Sequence, residues 1–139
     1  MKSVERENMK KRRKYSRIVS SAAVLKRTMA WKVFATFIKQ RDRYICITCR
    51  KKGNNAGHFR QASGYLNTFW DEHNVNCQCI SCNLFLSGNL AIYSIKLREK
   101  YGENIDKELI KKSLKIKQGY TRQELKQIAK EYREKIEQI

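Results

Sequence analysis

Two cysteine pairs, Cys46-x2-Cys49 and Cys79-x2-Cys82, stand 29 residues apart, with His58 between them. Thiolates at this spacing build a tetrahedral zinc site whose four positions are all filled by sulfur. A zinc ion so enclosed cannot activate water. It contributes folding free energy instead, because the ligand cage exists only in the folded chain. Acid–base chemistry would have to come from His58, since an imidazole of ordinary pKa near ~6.5 takes up a proton close to neutral pH. His58 has two plainer readings: a zinc ligand in place of one cysteine, or a hydrogen-bonded core residue. Cys77 and His73 complete the cysteines and histidines. The first reads as a free, partly buried thiol, the second as a loop residue or nucleic-acid contact.

Charge narrows the partners. The chain of 139 residues carries 31 Lys and Arg against 13 Asp and Glu, a net charge of +18. Such an excess points to a polyanion, and to nucleic acid before an anionic membrane, because the most basic segment has no strongly apolar opposite face. Binding of this kind weakens steeply with salt. Eight basic residues fall in the first 20, concentrated in Lys10, Lys11, Arg12, Arg13 and Lys14, and predict an arm that contacts phosphates. No apolar run reaches membrane-spanning length, and the N-terminus lacks the apolar stretch of a secretory signal. The expectation is a cytoplasmic protein, where five reduced cysteines argue for metal rather than disulfides.

The elements that position these residues follow from periodicity. From about 22 to 42, Val24, Leu25, Met29, Val33, Phe37 and Ile38 recur at three- and four-residue steps, with Trp31 and Phe34 widening the stripe. This predicts one unbroken helix. Residues 43–49, RYICITC, alternate and are rich in β-branched residues, predicting a strand that leads into a turn with the first cysteine pair at its tip. KKGNN is loop, AGHFR opens a second strand, and residues 61–74 are polar around a small core of Leu66, Phe69 and Trp70. Residues 83–102 read as largely helical, with Cys82 and Asn83 at the first turn and the end at Gly102. Further on, Thr121-Arg122-Gln123-Glu124 is a capping-box pattern ahead of a stripe of Leu125, Ile128, Tyr132 and Ile136. That stripe must dock on the domain or on a second copy of the chain.

A hairpin with one cysteine pair, followed by a helix with the second, describes a treble-clef zinc module. The predicted fold class is α+β: a small ββα-metal module flanked by N- and C-terminal helices. Its organisation is a basic arm over 1–20, a zinc-binding domain with its leading helix over 21–102, and a helical extension over 103–139. His58 on the hairpin, Asn74 five residues before Cys79 and Asn83 directly after Cys82 resemble the HNH, or ββα-metal, nucleases. In that family the histidine is the general base, the middle Asn orients the hairpin, and the residue at the helix start binds a catalytic divalent ion. Phosphodiester hydrolysis needs both parts, an activated water and a cation on the phosphate and leaving oxygen. One departure is visible: where many HNH nucleases carry an Asp before the histidine, this chain has Gly57. The missing negative charge would have to come from Asp71 or Glu72, or from DNA phosphate oxygens.

A narrower resemblance covers residues 30–139. Cys46 and Cys49, Gly57-His58-Phe59, Asn74, Cys79 and Cys82, Asn83, and Leu86-Ser87-Gly88-Asn89 together resemble the phage recombination proteins called NinG or Rap. The resemblance implies a structure-selective endonuclease acting in the host bacterial cell on branched DNA such as Holliday junctions and displacement loops. It implies structural Zn on Cys46, Cys49, Cys79 and Cys82 and catalytic Mg or Mn at Asn83 with His58 beside it; Lys51, Lys52 and Arg60, the basic residues closest in sequence to that site, are the expected phosphate contacts there. It allows a homodimer and phage or host recombination proteins as partners. Rival expectations are a non-catalytic zinc-finger adaptor for DNA or RNA, and a base-specific transcriptional regulator.

Overall fold

The computed structural model describes residues 2–15 and 18–139, and for residues 11–15 the backbone only. In chain order the elements are α1 (Lys2–Tyr15), β1 (Ile18–Val19), α2 (Ala22–Leu25), α3 (Met29–Arg41), β2 (Asn55–His58), a 3-10 turn (Leu66–Thr68), β3 (Val75–Gln78), a wide helical turn (Ser81–Phe85), α4 (Leu90–Tyr101), α5 (Ile105–Ser113), β4 (Tyr120–Thr121) and α6 (Arg122–Glu137). Two antiparallel two-stranded sheets pair β1 with β4 and β2 with β3. In the second sheet Gly57 faces Asn76 and His58 faces Val75. Lys10 is exposed on α1, whereas the side chains of Lys11, Arg12, Arg13 and Lys14 lie outside the described residues. Among the described residues no helix is long and apolar enough to cross a membrane.

The expected single helix over 22–42 is two helices. Thr28 Oγ1 donates to the Leu25 carbonyl at 2.6 Å and accepts from Trp31 N–H at 3.2 Å. A hydroxyl that can satisfy the last carbonyl of one helix and cap the next ends the first and starts the second. The break also rotates the stripe: Leu25, Phe34, Phe37 and Ile38 are buried, but Val24 and Met29 are exposed.

The strand expected over 43–49 is replaced by a tight knuckle. Arg43, Tyr44 and Arg50 take positive φ values, and a single bridge joins Ile45 to Lys52. Turning the backbone here lets Cys46 N–H reach the Lys51 carbonyl at 2.7 Å and brings both sulfurs to one side. The hairpin that holds His58 is therefore β2–β3, not a hairpin with the first cysteine pair at its tip. Nor does α4 begin at the second pair. Cys82 and Asn83 lie in the wide turn, and Gly88 (φ 91) and Asn89 (φ 51) reverse the chain before Leu90.

The apolar stripe of α6 docks on its own chain. Tyr132 meets Phe34 edge-on with ring centroids 4.7 Å apart, and Leu125 and Ala129 join Leu25, Ala30 and Phe69 in one core cluster. The capping box forms, with Thr121 and Glu124 bonding each other's backbone N–H.

The end of α3 is tied to β3 and α4 through one carboxylate. Asp42 accepts from Arg41 Nε at 2.8 Å, Cys77 N–H at 2.8 Å and Lys100 Nζ at 2.9 Å, with its side chain 6% exposed. Burial opposes its ionisation, but the Arg41, Cys77 and Lys100 donors outweigh that and hold its pKa below the ordinary carboxylate range. Asp42→Ala leaves a half-buried guanidinium and a buried N–H without their partner. Urea denaturation at neutral pH is expected to read a loss of roughly 3 kcal/mol.

Candidate metal centre and histidine cleft

The knuckle after α3 and the turn after β3 bring four sulfurs together. Cys46, Cys49, Cys79 and Cys82 place their Sγ atoms within 4.8 Å of one another, close to the edges of a sulfur tetrahedron around zinc. The set fits a soft divalent ion and could hold zinc. Burial raises the Cys46 thiol, but the Thr48 hydroxyl at 3.1 Å and the backbone N–H groups of Cys49, Cys79 and Thr48 overcome it and lower its pKa to about 6. Cys49 is pushed up to about 12 by burial and by the neighbouring thiols. Four thiolates at this separation need a cation between them. His58 is not in this cluster, which removes its reading as a zinc ligand. Cys77 is also outside it, a free thiol fully buried in β3, with its pKa raised to about 11 by burial and Asp42.

His58 ends β2 with its ring packed against both Trp31 and Phe69. It stacks on Trp31 with centroids 5.2 Å apart, and Nε2 lies 3.0 Å from the Phe69 carbonyl. A carbonyl only accepts, so Nε2 carries the proton and Nδ1 the free lone pair. Asn74 is fully buried and closes the loop between the strands. Its Oδ1 accepts from Arg60 N–H at 2.8 Å, and its Nδ2 donates to the carbonyls of Arg60 at 3.2 Å and Thr68 at 3.0 Å. Thr68 adjoins Phe69, so Asn74 fixes the very segment whose carbonyl holds the imidazole. His58 and Asn83 line one cleft of about 550 Å³, together with Lys26, Gln61, Ser63 and Ser87.

Sequence reasoning placed His58 and Asn83 here but missed Lys26. That residue follows α2 and reaches the cleft only because Thr28 breaks the helix; its sole signal in the sequence is its charge. Burial lowers its pKa, and its ammonium in turn acts on His58. Arg60 is committed elsewhere, with Nε donating to Ser113 Oγ at 2.8 Å and the guanidinium 4.0 Å over the Tyr65 ring. Lys51 and Lys52 are exposed on the knuckle and do not line the cleft. Asp71 and Glu72 line a different groove of about 880 Å³ and pair with Lys112 and Lys135. Neither supplies a carboxylate beside His58.

A small α+β protein with a four-cysteine cluster and a buried histidine on its central hairpin is the class these features define. A family model described as "Bacteriophage Lambda NinG protein" matches residues 1–139, and the chain belongs to this NinG family. Curated proteins named "Protein ninG" from Salmonella phage P22, Escherichia phage lambda and Escherichia phage 933W are 34%, 32% and 31% identical to it over 107 residues, or 74% of the chain. The match takes in 52% of each relative, so the chain spans about half the length of the curated relatives it matches. No solved structure matches it.

Burial, with Lys26 adding to it, lowers the His58 pKa to about 3, and the Phe69 carbonyl only partly opposes this. Between that value and the unfolded value near ~6.5, the unfolded chain binds a proton that the folded chain refuses. Stability is thus full above ~6.5 and falls on acidification, by at most about 1.4 kcal/mol per pH unit from this residue. Thermal melting of zinc-loaded protein between pH 7.5 and 5.5 should show a steeper acid loss for wild type than for His58→Gln, which cannot titrate.

Proposed function

We propose that the chain is a zinc-stapled, HNH-like endonuclease of treble-clef type that cuts branched DNA by metal-assisted phosphodiester hydrolysis in phage recombination. The observation that carries this reading is the oriented imidazole of His58, its Nδ1 lone pair free, in a cleft shared with Asn83 and Lys26. Zinc held by the four cysteines would close the knuckle and the wide turn against each other and keep Asn83 next to the hairpin. Asn74 keeps the Phe69 carbonyl under the ring.

In this mechanism Lys26 draws a backbone phosphate into the cleft. A water between His58 and the phosphate gives its proton to Nδ1 while its oxygen adds to phosphorus, and the bond from phosphorus to the sugar oxygen breaks, the departing oxygen taking a proton from solvent water. The products are a phosphomonoester end and a hydroxyl end. A phosphate beside the ring raises the proton affinity of His58, so the base strengthens as substrate arrives. Asn83 would hold Mg or Mn, which would supply charge for the phosphate and the departing oxygen. The exposed Lys and Arg surface, including Lys51, Lys52 and the basic helix α1, holds the duplex arms without reading bases. A homodimer would cut two strands symmetrically, and phage or host recombination proteins are fitting partners.

The burial of His58 on Trp31 also favours a second reading, a zinc-finger adaptor that binds DNA without cutting it. A labelled four-way junction and its matched linear duplex separate the two when incubated with Mg or Mn. Zinc-loaded wild type is expected to cut the junction, and His58→Ala of equal zinc content to lose roughly 10²- to 10⁴-fold in rate. Tight binding by wild type with no cutting would establish the adaptor instead.

A further inference from the structure

Gln78, the last residue of β3, is fully buried, and one end of its amide is unmet. Its Nε2 donates to the Gly88 carbonyl at 2.9 Å and lies 3.4 Å from Thr48 Oγ1. Because the Gly88 carbonyl accepts only, this contact decides which end of the amide is nitrogen. Oε1 then faces the other way, buried and without a hydrogen-bond donor. It points at the place where a side chain on residue 57 would stand. A Cβ on Gly57 would lie 2.1 Å from Gln78 Oε1 and 2.9 Å from Asn83 Oδ1. Two side-chain amides, one from the strand and one from the wide turn, thus border the bare backbone of Gly57, the residue before His58.

A buried acceptor without a donor is costly. A hard cation relieves that cost, because Mg and Mn take oxygen ligands. We propose that Gln78 Oε1 is, with Asn83 Oδ1, a ligand for a divalent cation beside His58, and that residue 57 is glycine because any larger residue would occupy the position of that oxygen. The proposal rests on the nuclease reading for its purpose but not for its observation. It supplies the oxygen that Asp71 and Glu72, turned to the other groove, do not. Both ligands are neutral, so the ion keeps its full charge for phosphate oxygens, as Mg commonly does when it bridges a protein and a phosphorylated ligand.

The test is Mn²⁺ alone, titrated into the zinc-loaded full chain and followed by loss of the free-ion electron paramagnetic resonance signal. Wild type is expected to bind one ion in addition to zinc. Gln78→Met, similar in length but without the oxygen, should weaken it by roughly tenfold or more, and Gln78→Glu, which adds a charge, should tighten it by a similar factor. Zinc content is measured for each protein, and the gain in Gln78→Glu carries the test if Gln78→Met fails to fold. Equal Mn²⁺ affinity in all three proteins, or none in wild type, overturns the ion site. Junction cutting that persists at full rate in Gln78→Met also overturns it while leaving the nuclease reading intact. Mn²⁺ binding that follows residue 78 as expected, in a protein that cuts no DNA, supports the ion site and overturns the nuclease reading.

Discussion

Buried amides at alternate positions of one strand hold the functional half of the molecule together. Asn74, Asn76 and Gln78 are each fully buried in or beside β3. Asn74 closes the loop that carries the Phe69 carbonyl. Asn76 accepts from Arg41 at 3.0 Å and from the Tyr101 hydroxyl at 2.9 Å, and donates to the Tyr93 hydroxyl at 3.1 Å. Gln78 ties the strand to Gly88 in the loop before α4. An amide carries both donors and acceptors, so each can bind several segments at once, and each is costly to leave unpaired. The interior here is specified by polar geometry as much as by apolar volume.

This polar interior explains how so little regular structure fixes a site. The sheet that carries His58 has two strands of four residues each, too few for independent stability. It is held instead from three directions. The aromatic cluster of Trp31, Phe34, Phe69 and Trp70 packs on the imidazole side, with Tyr132 of α6 behind Phe34. Tyr93 of α4 donates from its buried hydroxyl to the Gly57 carbonyl at 2.7 Å. The cysteine cluster draws the knuckle and the wide turn together at the far end. The N-terminal and C-terminal parts meet as well, since β1 pairs with β4 and α6 packs on α3.

The legibility of the chain follows the same division. The cysteine set was readable because thiolate spacing is itself the chemistry, and the Thr121 cap because its pattern is local. His58, Asn74 and Asn83 were readable by position relative to the cysteines, although their roles came from resemblance. Strand β3 was not readable. VNCQ alternates polar and apolar, which signals a half-exposed strand, yet all four of its residues are buried. The break at Thr28 was hidden because a threonine in an apolar stripe looks permissive until its hydroxyl finds Leu25 and Trp31. Lys26 left no signal beyond its charge and Gln78 none, since one depends on that break and the other on a glycine across the hairpin.

The pairing of Gly57 with Gln78 bears on how charge is distributed in the proposed nuclease. A carboxylate at residue 57 would bind a divalent ion more tightly, but it would place negative charge where a phosphate must enter. Here the net charge of the chain is +18, and the cleft holds a lysine, a neutral imidazole and amides in place of acids. With neutral ligands, ion and DNA each strengthen the binding of the other, because each supplies the charge the other lacks. On the proposed reading the ion binds the protein alone and is held more tightly once a phosphate is in place, so DNA would complete the centre that would cut it.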